Sequence, residues 1–366
     1  MNATVKKRIG ILTSGGDCPG LNAAIRGATH AAREKGWEVV GIIESTDGLL
    51  ANPPNVIAMN RQMMDGGILR QAGTILGTTS KGAQSPLAWT GPDGKKTDRS
   101  QDVADSYTQL GLDGLIVIGG DGSMGIVREI AKRTNGTIKF VGIPKTIDND
   151  VGATEQSIGF DTAVSVASEA LDRLQPTAAA HQRSMILEVM GRDAGHIALN
   201  AGIAGGADVI LIPELPYSLE AICTKIQKLR DDGRNHSLMI VAEGVKMPNG
   251  EKVQMKFPDG QMRLGGIGQY LATEINKMTG AETRVTVLGH VQRGAAPNAL
   301  DRLVATSLGV HAINLIEKNM FDRMVIWRGR GVTSVPLSQA LDKYHSVDPN
   351  HSLVVTARAM GICLGE

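Results

Sequence analysis

Short apolar runs alternate with helix-patterned stretches along most of this 366-residue chain, and that alternation restricts the fold more than any other feature. The runs at 9–12, 38–43, 115–118, 140–143, 185–189, 209–212 and 238–242 are almost continuously hydrophobic, as strands covered on both faces are. Helix-like patterns at 20–35, 123–132, 162–174 and 219–229 separate most of them. The alternation predicts an α/β fold with parallel sheets covered by helices. Residues 51–99, rich in Gly, Pro, Asn and Thr, read as long loops beside a site, and 244–266 reads as a hairpin.

The length suffices for two domains with full cores. A formal charge of +1 argues against a nucleic-acid surface. Cys18, Cys223 and Cys363 are odd in number and far apart, matching neither a zinc pattern nor a disulfide framework. The polar opening residues 1–8 run straight into a strand, and no apolar run is long enough to span a membrane. The expectation is a soluble cytoplasmic protein without nucleic-acid or membrane partners.

Chemistry concentrates at the ends of the strands. Pro144-Lys145-Thr146-Ile147-Asp148-Asn149-Asp150 follows the apolar segment 140–143. It brings an ammonium, a hydroxyl and two carboxylates to the carboxyl end of a strand, where open α/β sheets place their ligands. Pro144 should break the strand. In an extended segment Asp148 and Asp150 would share a face, one taking a proton while the other orients a substrate or holds a metal. An Asp-rich turn accounts for the run equally well when it is taken alone.

Two glycine-acid motifs shift the balance. Thr13-Ser14-Gly15-Gly16-Asp17-Cys18-Pro19-Gly20-Leu21-Asn22 lies between a strand and a helix, where backbone N–H groups and a helix N-terminus favour an anion. It fits neither the dinucleotide fingerprint nor the P-loop. Gly119-Gly120-Asp121-Gly122-Ser123 repeats the setting. There Asp121 suits magnesium, while Ser123 reads equally as a plain helix N-cap.

A basic set completes the inventory: Arg183, the stretch Met190-Gly191-Arg192, then Arg284, His290 and Arg293. Arginine donates two bonds at once to phosphate, although local acids such as Glu282 and Asp193 offer each arginine an ordinary ion pair. Together these parts fit phosphoryl transfer to a phosphorylated acceptor.

With these motifs, the chain resembles the 6-phosphofructokinase family from residue 9 to about 302. The resemblance rests on the stretches 13–22, 119–123, 144–150, 190–195 and 288–294. It implies two parallel-sheet sandwich domains with the active site in the cleft between them. A donor domain would comprise 1–159 and 292–342, and a sugar-phosphate domain 160–291 and 343–366. It implies transfer from ATP with magnesium to the 1-hydroxyl of fructose 6-phosphate, giving fructose 1,6-bisphosphate in glycolysis. Asp148 would be the base, with Thr146, Asp150 and Gly16 in the catalytic group. Gly15, Gly16, Lys81, Gly120, Asp121, Gly122, Ser123 and Lys145 would bind the donor, Asp121 also organising the metal. Thr146, Met190, Gly191, Arg192 and Glu243 would bind the sugar, and His290 and Arg293 its 6-phosphate. Arg183 and Arg284 would reach that phosphate from a neighbouring subunit of a homo-oligomer, commonly a tetramer.

Several positions depart from the best-known bacterial ATP-using members. Those carry glycine where this chain has Lys145, a lysine typical of pyrophosphate users. Pyrophosphate users usually carry Asp where this chain has Gly122, and that Asp crowds the α-phosphate. Thr46 stands where an aromatic would flank adenine, and Ser80-Lys81 where an arginine would bridge the reacting phosphates. On the regulatory helix face Arg26 is kept, but the next arginine is His30. Steric exclusion is harder to evade than a favourable charge is to share, so ATP is the expected donor. A pyrophosphate-dependent enzyme and a non-catalytic sugar-phosphate-binding subunit are the alternatives. The Gly-Gly-Asp-Gly loop also occurs in NAD and lipid kinases, which lack the 144–150 run.

Overall fold

The computed structural model describes residues 6–79, 85–91, 93–256, 262–342 and 344–366. The chain divides into two α/β units: Met1–Thr146, Val151–Asp161 and Ala296–Tyr344 form one, and Ile147–Asp150, Thr162–Ala295 and His345–Glu366 the other.

The first unit is built on a seven-stranded sheet, ordered Gly331–Pro336, Arg323–Arg328, Phe140–Pro144, Gly114–Gly119, Arg8–Thr13, Glu38–Ile42, Val56–Ala58. The five inner strands are parallel, and their residues Ile9, Ile11, Ile116, Val117, Val141 and Ile143 are fully buried. Such strands need no polar face, which is why their sequences do not alternate. Thr13 pairs with Ile118 and Gly119 with Pro144, so three neighbouring strands end level. From the inner strand Arg8–Thr13 the chain first moves to Glu38–Ile42 on one side and later to Gly114–Gly119 on the other. That reversal of direction creates the crevice where such sheets bind ligands.

Both outer strands are antiparallel, a departure from the all-parallel expectation. Gly331–Pro336 is half-exposed and mixes polar with apolar residues, and Val56–Ala58 is only three residues long within a loop-like stretch, so periodicity does not reveal them. The strand ends at Pro144, as expected, and Lys145 beyond it makes only an isolated bridge to Ile158.

The second unit holds a parallel four-stranded sheet, ordered Thr283–Val287, Ser184–Val189, Ser237–Ala242, Val209–Leu211. The edge strand Thr283–Val287 contains Arg284, which therefore sits inside a strand rather than at its end. The hairpin expected within 244–266 is the pair Gln254–Lys256 and Met262–Leu264. The helix expected at 162–174 runs over Phe160–His181, passing through Pro176 instead of stopping before it.

Helices Leu21–Glu34 and Ala299–Glu317 of the first unit approach so closely that glycine is required on both. A Cβ on Gly27 would stand 2.5 Å from the Thr306 carbonyl oxygen, and one on Gly309 would stand 2.3 Å from that of Ala24. This crossing seats the helix that begins directly after the 13–20 loop. An alanine inside a helix ordinarily gains about 1 kcal/mol over glycine. Here the facing backbone must move, so Gly309→Ala should instead destabilise the protein by about 1–3 kcal/mol in urea unfolding. A more stable G309A protein would show that the two backbones are not in contact.

Candidate active site

In the first unit, three loops leave the level carboxyl ends of adjacent strands. The loop after Arg8–Thr13 is stitched to the 77–79 segment. Thr13 Oγ1 donates to the Gly77 carbonyl at 2.6 Å, Thr78 Oγ1 donates to the Gly15 carbonyl, and Gly15 N donates to the Thr79 carbonyl at 3.0 Å. Ser14 N donates to the Ile118 carbonyl at 2.9 Å, tying the first loop to the second strand. The Gly15 N–H is thus spent on Thr79 and is not an anion donor, contrary to the simplest reading of adjacent glycines. Gly15 has another use. With φ +85 and no side chain, it leaves room for the Lys145 ammonium, which would lie 3.2 Å from a Cβ there.

Lys145 joins the three loops. Its backbone N donates to the Gly119 carbonyl at 3.0 Å and its Nζ donates to the Gly16 carbonyl. It is only 4% exposed. Two helices, Leu21–Glu34 and Asp121–Arg133, start at this edge. Their N-terminal partial charges and the ammonium favour an anion there.

Gly120 is the N-cap of the second helix, so Asp121 and Gly122 lie in its first turn and Ser123 is not the cap. A Cβ on Gly119 would meet that of Ser123 at 2.7 Å, which fixes the tight turn. Gly122 is exposed, and a Cβ on it would meet nothing within 4 Å. The Asp121 carboxylate is exposed beside it, with Oδ1 accepting from Gly122 N at 2.7 Å. Among the described residues no group of three or more His, Cys, Asp or Glu forms a ready metal cage. Magnesium does not require one, because it binds through one or two carboxylates together with substrate phosphates and water. Asp121 beside an open, phosphate-favouring edge fits that mode.

In the second unit, Ile147–Asp150 is a turn rather than an extended segment, with Asn149 at φ +54. The shared-face argument for Asp148 and Asp150 therefore does not hold, although both carboxylates are buried. Met190, Gly191 and Arg192 follow the strand Ser184–Val189, and Glu243 follows its neighbour Ser237–Ala242. Gly191 (φ +150) and Arg192 (φ +52) take backbone conformations that cost a non-glycine residue of order 1–3 kcal/mol. A contact holds them there: Arg192 N donates to Glu243 Oε1 at 3.2 Å. Gly244 lets the two loops meet, since its Cβ would fall 1.8 Å from the Arg192 carbonyl oxygen. Burial, then the neighbouring Asp148 carboxylate, push the Glu243 pKa up to about 7.

His290 and Arg293 lie in the short 3-10 turn Gly289–Arg293, after the edge strand of the same sheet. Arg183 and Arg284 both pair with Glu282, Arg183 at 2.9 Å. The local ion pair is thus what a single copy of the chain makes of these two arginines. Thr146 is half-buried in the first unit, its N donating to the Ile158 carbonyl at 3.2 Å. Thr46 is buried at the start of the short helix Thr46–Leu50. Lys81 lies outside the described residues. Arg26 and His30 both bond the Met64 carbonyl, each at 3.1 Å, so they hold a loop in place.

Several supporting residues escaped the sequence reading. Glu188 is buried in the sheet, and its oxygens accept from Gly266 N and Gly268 N, both at 2.8 Å, at the start of helix Ile267–Thr279. A glutamate within an apolar strand is a readable signal for such a role. Glu214 accepts from Gly195 N at 3.0 Å and Val347 N at 2.9 Å, and His345 bonds the Asn149 carbonyl. Nothing local in the sequence marks either one.

A sequence profile of the family described as phosphofructokinase matches residues 8–316. A protein from Nostoc sp. named ATP-dependent 6-phosphofructokinase 1 is 57% identical over 360 residues, covering 98% of this chain and 99% of that one. Phosphofructokinase from Saccharomyces cerevisiae superposes with a TM-score of 0.76 at 28% identity; 98% of this chain is covered, and it spans 47% of the yeast chain. A pyrophosphate-dependent phosphofructokinase from Nitrosospira multiformis gives a TM-score of 0.79 over 100% of this chain and 93% of its own at 18% identity, a likeness of fold alone.

Glu243 generates a pH prediction. Its folded-state pKa of about 7 lies above the ordinary 4.5, so the folded protein holds a proton that the unfolded chain releases between those values. Stability from this group is therefore present below pH 4.5 and lost as pH rises through 7. Glu243→Gln has no such loss. The variant's stability relative to the parent should rise by up to about 3 kcal/mol between pH 4.5 and 8 in urea unfolding. A difference that does not change with pH would refute the assignment.

Proposed function

The chain belongs to the phosphofructokinase family, and on that premise we propose how its own residues carry out the reaction. It catalyses the ATP-driven phosphorylation of fructose 6-phosphate in glycolysis, a kinase-type transfer to an alcohol. The observation that carries the residue assignment is the buried turn holding Asp148, directly beyond the strand Phe140–Pro144.

Asp148 receives the proton of the sugar 1-hydroxyl. As it does so, the sugar oxygen bonds to the γ-phosphorus and the bond from that phosphorus to the β,γ-bridging oxygen breaks, releasing ADP and fructose 1,6-bisphosphate. Thr146 and Asp150 flank the base and orient the acceptor. Gly15, Gly16, Gly120, Gly122 and Ser123 shape the donor cradle, and Lys145 supplies its buried positive charge. Asp121 holds the magnesium, which neutralises charge on the donor phosphates when bound. Met190, Gly191, Arg192 and Glu243 grip the sugar, while His290 and Arg293 take its 6-phosphate. The open space over Gly122 supports ATP, because a nucleotide must pass its α-phosphate and ribose over this turn.

The protein acts as a homotetramer in which Arg183 and Arg284 of a neighbouring copy complete the phosphate site. The exposed edge strand that carries Arg284 supports this reading, since such an edge is open to a second chain. Among the described residues no helix is long and apolar enough to cross a membrane. Three free cysteines suit a reducing, cytoplasmic setting.

Asp148→Asn should lower kcat about a hundred- to ten-thousand-fold while sugar-phosphate binding persists. Mixed subunits of D148N and an Arg183→Ala/Arg284→Ala double variant should recover activity above either parent alone. Near-parental kcat in D148N would sink the base assignment, and failure of the mixture to recover would sink the shared site.

A further inference from the structure

The turn that carries Asp148 is held from below by residues far away in the sequence. His345 Nδ1 lies 2.8 Å from the Asn149 carbonyl oxygen, and His345 N donates to the Asp150 carbonyl at 3.0 Å. A carbonyl only accepts, so Nδ1 carries the proton. Behind it, His196 Nε2 donates to the His345 carbonyl at 2.9 Å, and the two rings lie 4.6 Å apart, inclined by 36°. Burial pushes the His196 pKa down to about 4, so this ring is neutral near pH 7 and can stack without repulsion. Two residues on, Val347 N donates to Glu214 Oε1, which also accepts from Gly195 N. Gly195 is the N-cap of helix His196–Ala204 and follows closely on Gly191 and Arg192.

The segment 345–347 is therefore a strap. One end fixes the carbonyls of Asn149 and Asp150, and the other is pinned through Glu214 to the turn after the Gly191–Arg192 loop. Asn149 sits at φ +54, a conformation open to relaxation if its carbonyl is released. A shift there moves the side chain of the preceding residue, Asp148.

We propose that His345 is a positioning residue for the transfer reaction, its Nδ1–H holding the Asn149 carbonyl so that Asp148 meets the acceptor hydroxyl in line. This rests on Asp148 being the base. His345 touches no substrate in the scheme; it acts through the turn alone.

The test compares two substitutions with the full-length enzyme. His345→Phe keeps the ring against His196 and deletes the Nδ1–H. His345→Asn places an amide nitrogen where Nδ1 stands. H345F should lower kcat about tenfold with KM for sugar phosphate and ATP within about twofold, since a small misplacement costs rate before it costs binding. H345N should recover most of that loss. Parental kcat in H345F, a KM rise matching the kcat fall, or an H345N variant as impaired as H345F would each overturn the proposal. If H345F does not fold, H345N is compared with His345→Gln, whose amide reaches the Nε2 position instead; equal kcat in the two would then refute it. D148N measured alongside separates the layers: parental kcat there brings down both base and strap, while its collapse beside an unimpaired H345F brings down the strap alone.

Discussion

The register of three parallel strands is the constraint on which the rest depends. Because Thr13 pairs with Ile118 and Gly119 with Pro144, three loops far apart in the sequence emerge at one level. Lys145 then ties them through two carbonyls, those of Gly119 and Gly16. A one-residue slip in any of these strands would turn its side chains to the opposite face and move its loop by a residue's length. The continuous burial of the strands makes such a slip costly, so core packing sets the geometry of the anion-favouring edge.

Charge is distributed unevenly between the two units. The first gathers positive potential at that edge, from a buried ammonium and two helix N-termini. The second buries Asp148, Asp150 and Glu188, and it raises Glu243 through burial and the neighbouring Asp148 charge. Glycine provides the close approaches: Gly244 admits the Arg192 carbonyl and Gly195 the Ile212 side chain, so the Gly191–Arg192 loop and the turn after it are held by tight contacts at glycine rather than by aromatic packing.

The inner strands and the glycine-acid turns were legible because each is a local pattern. The continuous apolar runs marked buried parallel strands, and a following cluster of Gly, Asp or Lys marked the ligand end. The edge strands were not legible, since Val56–Ala58 is only three residues long and Gly331–Pro336 is half-exposed with a mixed polar and apolar sequence. The turn at 147–150 looked extended because sequence cannot announce the left-handed Asn149. His345 was invisible, since its partner carbonyl is 196 residues away and backbone carbonyls leave no trace in sequence.

The open space at Gly122 favours ATP as the donor over the pyrophosphate-like charge of Lys145. Steady-state turnover of fructose 6-phosphate, measured side by side with ATP and with pyrophosphate at saturating magnesium, tests this most directly. The expected result is a higher kcat/KM for ATP. A higher value for pyrophosphate, or no turnover with either donor, would contradict it.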